Sequence, residues 1–191
     1  MTELPDFEVR DYRPGDEVAI LRTFNRVFAE VDPTFVPRTL AEWLWQYAEN
    51  PSGHRIKVAA TPEGEVISQC AAFGQRVWLE GERALFVHMV DSMTDPRYRR
   101  GLKKPGFFVL TTQPWRADSM GPPPNGVAVA WGLPIPPAWR IGKVYLSYKM
   151  LCTQQKLVAD LDRLRPAAAP GVAVRELDAP PEDGDDLFER A

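Results

Sequence analysis

Apolar residues recur at two different periods along the first half of the chain. Helical spacing runs from Val18 to Phe28 and again from Leu40 to Tyr47, and a short strand, Phe7 to Arg10, precedes the first helix. Three β-rich runs follow, separated by short turns that contain glycine: 55–60, 65–79 and 83–93. Because short turns favour direct pairing of consecutive strands, the pattern predicts an antiparallel meander.

The second helix carries two tryptophans that cannot face the same way. Thr39 stands where it can cap this helix. Trp43 is predicted to join the core, and Trp45, two positions along, is predicted to lie at the rim. In the middle β-rich run, the small residues 70–72 and Gly74 indicate a bulge, a close approach of another segment, or crowding in the core.

Further elements are predicted after the meander. A helix begins near Gly106 and is expected to end or kink near Gln113, because Pro114 follows. The remaining predicted elements are a buried strand over 127–131, a helix over 138–146, a strand over 148–154, a helix over 156–164 and a strand over 172–177.

A basic loop lies between the last strand of the meander and the next helix. Its cations are interleaved with glycines: Arg97, Arg99, Arg100, Lys103 and Lys104 with Gly101 and Gly106. A strand, a basic glycine loop and a helix N-terminus form a cradle for a phosphorylated ligand, because free N–H groups and the helix dipole face the anion. The alternative is a solvated loop without a ligand.

Bulk composition limits the classes of function. The 191 residues carry a net charge of −3 with 45% hydrophobic content, which suits one domain with a sizeable core and argues against a nucleic-acid-binding surface. Neither a secretory signal nor a long apolar segment is apparent, so a soluble, cytoplasmic protein is expected. Cys70 and Cys152 have no metal-ligand spacing, so neither a metal site nor a disulfide is predicted.

The residues around this loop carry a resemblance to a known family. The run from Ser92 to Pro96, with the loop after it, resembles the central motif of the GNAT acetyltransferase superfamily, R/Q-x-x-G-x-G/A. With Gly101 as the first glycine, Tyr98 takes the arginine or glutamine position and Lys103 the second glycine; in another register Arg99 leads the motif. The segment 131–134, Trp-Gly-Leu-Pro, looks like the G-F-P-N element of a divergent subgroup.

The resemblance implies a fold and a domain plan. The implied fold is α+β: three α/β/α layers around a mixed, mostly antiparallel sheet that splays between strands 4 and 5. Residues 1–178 would form one acyl-CoA-binding domain, and 179–191 would form an acidic tail, with the start of a missing second region as the alternative. A monomer or a homodimer is expected.

The resemblance also implies acetyl-CoA as co-substrate and a small-molecule or peptide amine as acceptor. Backbone N–H groups around Ser92–Thr94 would polarise the thioester carbonyl. The residues implied in acetyl-CoA binding are Ser92, Met93, Thr94, Arg99, Arg100, Gly101, Leu102, Lys103, Lys104 and Gly106.

Catalytic residues are less well marked. Many members carry a tyrosine acid four residues before a Gly-Phe pair; counting back from Ser147 places Lys143 there, with Tyr145 nearby. His88 and Asp91 are candidate bases, although strand alternation places them on opposite faces. Their structural alternatives are a hydrogen-bonded core histidine and an aspartate that holds the basic loop. A module that binds acyl-CoA without catalysis and an anion-binding scaffold remain as alternative functions.

Overall fold

The protein is built on a five-stranded mixed sheet. The computed structural model describes residues 6–99, 104–124 and 126–153, and its core belongs to one compact unit that ends at Met150. Strands β1 to β4 pair antiparallel in chain order, and β5 pairs parallel with β4. The strands are β1 (Glu8–Asp11), β2 (His54–Ala60), β3 (Val66–Leu79), β4 (Glu82–Thr94) and β5 (Val127–Gly132). The predicted antiparallel meander and mixed sheet are confirmed.

Helices cover both faces of this sheet. They are α1 (Glu17–Ala29), α2 (Leu40–Trp43, continued by a π-helical turn, Leu44–Ala48), α3 (Phe107–Ser119) and α4 (Pro136–Tyr145). Helices α1 and α2 pack on one face around Ile20, Phe24 and Tyr47, whereas α3 packs on the other through Phe107 and Trp115. The predicted three layers are therefore present. Within the described part of the chain, no helix is long and apolar enough to cross a membrane.

The start of α2 follows the local sequence closely. Thr39 accepts a hydrogen bond from the Glu42 N–H, and the Glu42 side chain accepts from the Thr39 N–H, which completes a capping box. Trp43 is 1% exposed and Trp45 is 73% exposed. Both tryptophan predictions are confirmed.

Helix α3 passes through Pro114 without ending, so of the two predicted alternatives near Gln113, an end or a kink, the end is wrong. Packing on both sides of the proline explains the difference. Phe107 is buried against Ala59 and Ile67, and the Trp115 Nε1–H donates to the Arg55 carbonyl at 3.1 Å. These tertiary contacts outweigh the loss of one hydrogen bond within the helix.

The strand predicted over 148–154 is not formed in residues 148–153. The chain instead turns back on the end of α4: Ser147 has φ +57°, and the Tyr148 N–H donates to the Gly142 carbonyl at 3.1 Å. The aromatic ring of Tyr148 then packs directly over Gly142, where no larger residue would fit. Residue 154, the helix and strand predicted over 156–164 and 172–177, and the domain boundary at 178 lie outside the described residues.

Candidate functional site

Strands β4 and β5 separate partway along β4. Their pairing runs from Leu85 with Val127 to Met89 with Gly132, and β4 then continues to Thr94. Gly132 stands at the point of separation, where a Cβ atom would lie 2.9 Å from the Met89 carbonyl oxygen. The last five residues of β4 thus extend beyond the pairing with β5, which confirms the predicted splay.

A β-bulge lies within this last part of β4, which pairs with β3 but not with β5. Val90 pairs with Ala71 and Met93 with Gln69, so Asp91 and Ser92 together face the single residue between those partners on β3. Asp91 has φ +54°, which is unusual for a residue with a side chain. The Gln69 Nε2 donates to the Asp91 carbonyl at 2.9 Å and supports the bulge from β3. Strained backbone that neighbouring groups hold in place is typical of functional sites.

The Asp91 side chain is held by three donors from the α2 layer. The Tyr47 hydroxyl donates to it at 2.7 Å, the Gln46 Nε2 at 3.3 Å, and the Arg38 guanidinium forms an ion pair with it. Burial, together with the negative charge of Asp91, raises the pKa of Tyr47 well above its ordinary value. These contacts fit a role for Asp91 as an anchor of the bulge. They fit less well with a role as a base, which must accept a proton.

His88 lies on the same face of the sheet as Asp91, contrary to the alternation prediction. Val87 and Met89 pack against the α3 side, so His88 points to the α1–α2 side, where Asp91 meets Tyr47. The extra residue of the bulge resets the alternation. Burial lowers the pKa of His88, although the charge of Asp91 opposes this. A neutral imidazole at neutral pH follows.

Tyr145 lies apart from this pair, on the side of the sheet that carries α3. It lines a cavity of about 300 Å³ between α3 and α4, together with Gln113, Arg116, Ala117, Met120 and Leu146. The Tyr145 carbonyl accepts a hydrogen bond from the Gln113 Nε2 at 3.4 Å. The structure therefore brings His88 and Asp91 to one face and leaves Tyr145 elsewhere.

Tyr148 is the tyrosine that approaches the bulge from the α3 side. Burial and the nearby Cys70 raise its pKa to about 12. Cys70 lies opposite the bulge on β3, and its thiol lies beside the side chains of Ser92 and Thr112. In the sequence, Tyr148 stood only at the start of the strand predicted over 148–154. No local signal marks its approach, because the turn after α4 brings it there.

Asp95 organises the start of the basic loop. Its buried carboxylate accepts from the Arg97 N–H at 3.0 Å and the Arg97 Nε at 3.1 Å, and it also pairs with Arg26. Burial alone would raise the pKa of Asp95, but the hydrogen bonds from Arg97 and the nearby positive charges lower it. The loop-holding role considered for Asp91 thus belongs to Asp95. Arg97, which also pairs with Glu65, is committed to this network.

The rest of the described loop leads to the N-terminus of α3. The Arg99 Nε donates to the Thr94 carbonyl at 3.0 Å, while Arg99 and Lys104 remain exposed. Helix α3 has Gly106 as its N-cap, without a side-chain cap or an acidic residue in the first turn. Its first N–H groups can therefore meet an anion. Arg100, Gly101, Leu102 and Lys103 lie outside the described residues.

Comparison with known proteins places this geometry in a family. The family model described as "Acetyltransferase (GNAT) domain" matches residues 8–104 of the 191. The chain belongs to the GNAT acetyltransferase family. No curated protein sequence gives a significant match.

Solved acetyltransferase structures share the fold at low sequence identity. An acetyltransferase of Trypanosoma brucei has a TM-score of 0.58 at 16% identity, over 81% of this chain and 100% of that one. A putative acetyltransferase of Agrobacterium tumefaciens has a TM-score of 0.58 at 15% identity, over 80% and 99%. Glucosamine-6-phosphate N-acetyltransferase of Arabidopsis thaliana has a TM-score of 0.54 at 14% identity, over 81% and 99%. At these identities the likeness concerns the fold alone.

Proposed function

We propose that this protein is an acyl-CoA-dependent N-acetyltransferase that moves the acetyl group of acetyl-CoA directly to an amine. The observation that supports this best is the bulged end of β4, which extends beyond the pairing with β5. It leads through a basic loop to the N-terminus of α3, which has no side-chain cap. Acetyl-CoA needs both surfaces next to each other, the strand end for its thioester and the basic loop with the helix N-terminus for its pyrophosphate. Small-molecule or peptide amines are the acceptors, and the cytoplasm is the proposed location.

Acetyl-CoA binding would use both surfaces. The free edge of β4 from Val90 to Thr94 offers backbone groups to the amides of the pantetheine arm, and Met93 packs in the core behind it. Arg99, Lys104 and the first N–H groups of α3, after Gly106, would hold the pyrophosphate. Arg100, Gly101, Leu102 and Lys103 join this set on the basis of the sequence motif alone.

In the transfer step, the neutral amine attacks the thioester carbonyl carbon, and a C–N bond forms. N–H groups of the bulge around Ser92 stabilise the oxygen as negative charge develops on it. The C–S bond then breaks, and the CoA thiolate takes up a proton from a side-chain donor. The proton that the amine nitrogen loses passes to water, and the donor regains a proton from solvent. We assign the proton donor to Tyr148, which lies near Cys70 and Ser92 on the thioester side of the sheet. The raised pKa keeps this hydroxyl protonated at neutral pH, so that its proton is available when the thiolate leaves.

The first test measures acetyl-CoA binding and turnover together. Isothermal calorimetry of the wild type should give a dissociation constant in the micromolar range, and a panel of primary amines should release free CoA thiol. Replacing both Arg99 and Lys104 by alanine removes two cations beside the proposed pyrophosphate site. Acetyl-CoA affinity should fall about 30- to 1,000-fold, since each of the two charge-assisted contacts contributes about 1–2 kcal/mol.

The matched control removes two exposed cations elsewhere, Arg22 on α1 and Arg83 at the start of β4. Arg22→Ala/Arg83→Ala should leave the affinity within about twofold of the wild type, because distant exposed charges are screened by salt. Equal losses in both double variants would refute the proposed pyrophosphate site. Absence of acetyl-CoA binding by the wild type would refute the proposed function.

Tyr148→Phe should lower kcat about 100- to 10,000-fold with little change in acetyl-CoA affinity, because general-acid contributions are of this size. Tyr145→Phe is the matched control, since the Tyr145 side chain lines the separate cavity between α3 and α4, and its kcat should stay near the wild-type value. Steady-state release of CoA thiol measures both. If Tyr145→Phe is the more damaging change, the assignment of the acid is wrong.

A second candidate function is an acyl-CoA-binding module without catalysis. It is favoured by the exposed Lys143 at the position where many members carry the tyrosine acid, and by the engagement of Asp91 with Arg38 and Tyr47. Tight acetyl-CoA binding without thiol release across a broad amine panel would select this candidate over the enzyme.

A further inference from the structure

One row of aromatic side chains crosses four strands of the sheet at a single level. The strand register pairs His54 of β2 with Phe73 of β3, Phe73 with His88 of β4, and His88 with Trp131 of β5. The ring of His88 stacks on Trp131 at 3.9 Å with an interplanar angle of 4°, and Phe73 meets His88 edge-on at 5.3 Å. All four residues point to the face that carries α1 and α2.

The part of the row nearest β5 is a surface rather than core. Phe73, His88 and Trp131 remain partly exposed, and none of them joins the buried clusters of the described residues. The Trp131 Nε1–H donates to the Gln75 Oε1 at 3.0 Å, which sets the orientation of the indole ring. Rings that are held in place yet partly open to solvent suit contact with a ligand.

This surface lies next to the proposed site of acetyl transfer. His88 precedes Asp91 by three residues on the same strand and the same face, so the row lies roughly 10 Å from the bulge. Trp131 is the last residue but one of β5, immediately before the strands separate. An acceptor whose body rests on the row can therefore place an amine at the thioester carbonyl.

The chemistry of the row limits the kind of acceptor. Phe73 and Trp131 carry no charge, and the low pKa of His88 keeps its imidazole neutral at neutral pH. The carboxylate of Asp91, on the same face, is already paired with Arg38. The surface therefore offers flat apolar contact and no fixed charge for a phosphate, a carboxylate or a polycation.

We infer that the acceptor is a primary amine with a flat apolar body, of the arylalkylamine class, and that Trp131, His88 and Phe73 form the surface on which its ring rests. This rests on the proposed acetyl transfer. The span from row to bulge suits a linker of several carbons, and 4-phenylbutylamine is a suitable probe.

Acceptor selectivity tests the inference. With saturating acetyl-CoA, kcat/KM for 4-phenylbutylamine should exceed that for n-butylamine about 50-fold, since burial of a phenyl ring gains this much. Trp131→Ala should reduce the preference about tenfold, and Trp131→Phe, which keeps a ring, should retain most of it. Trp78→Ala is the matched control, because Trp78 is 70% exposed near the far end of β3. Equal kcat/KM for the two amines, or an unchanged preference in Trp131→Ala, would overturn the inference.

A binding measurement that does not require turnover tests the aromatic surface separately from the proposed acetyltransferase activity. Saturation-transfer NMR in the presence of CoA should detect 4-phenylbutylamine on the wild type, with a loss of signal in Trp131→Ala and in a second variant, His88→Ala. Near-UV circular dichroism checks that both variants are folded. Binding that depends on Trp131, without acetyl transfer, would uphold the aromatic surface and refute the enzyme. No binding, or a dimer that Trp131→Ala dissociates, would overturn the inference.

Discussion

Replacing Asp91 by alanine should lower kcat about 100-fold or more and leave acetyl-CoA affinity within about threefold of the wild type. The variant loses the three donors that hold the bulge, namely Arg38, Gln46 and Tyr47, while position 91 still has to adopt a positive φ. A bulge that relaxes by about 1 Å misdirects the N–H groups at the thioester, and such a displacement can cost about 100-fold in rate. Stopped-flow or steady-state thiol release measures kcat, and calorimetry measures the affinity.

A double-mutant cycle separates an anchor from a base. If Asp91 acts as an anchor, Arg38→Met and Asp91→Asn should each lower kcat by a similar factor, and the double variant should be little worse than either one. If Asp91 is the base, Asp91→Asn should be far more damaging than Arg38→Met and should remove the acidic limb of the pH–rate profile. Arg22→Met on α1 is the control and should keep the wild-type rate. Full activity of Asp91→Ala would contradict both roles.

Asp95→Ala should be the most destabilising single change among the charged residues considered above, with a loss of about 3 kcal/mol in the free energy of unfolding. The carboxylate is buried and pairs with Arg26 and Arg97 at the point where β4 passes into the loop. Since these arginine side chains are 35% and 52% exposed, water can resolvate them, which keeps the loss at the lower end of the range for buried pairs. Urea unfolding followed by circular dichroism gives the value.

Asp118→Ala provides the control for this change. Asp118 is 62% exposed, and its partner Lys57 retains Asp11, so less than about 1 kcal/mol should be lost. The pH dependence adds a second criterion. Because the pKa of Asp95 is lowered by folding, its stabilising effect is present above the usual aspartate pKa of about 3.9 and is lost as the pH falls through the lowered value. The stability gap between the wild type and Asp95→Asn should therefore shrink in acid; a gap independent of pH would contradict the ion-pair explanation.

Several features of the fold follow from short-range signals in the chain. Thr39 caps α2 as predicted, because a capping box needs only residues that are three apart. Trp43 and Trp45 separate into core and surface as helical geometry requires. The short turns between β2, β3 and β4 dictate direct antiparallel pairing. Pro114 shows where this reasoning fails, because packing of Trp115 against the sheet keeps α3 continuous.

The sequence by itself determined the order of the elements from β1 to α4, the basic loop between β4 and α3, and the resemblance to the GNAT family, since all three depend on neighbouring residues. Only the tertiary structure decided the geometry of the site. The bulge at Asp91 is held by Arg38 and Tyr47, which are 53 and 44 residues away, and it brings His88 to the same face. Contacts of such separation leave no periodic trace in the chain. The turn after α4 likewise places Tyr148 near the bulge.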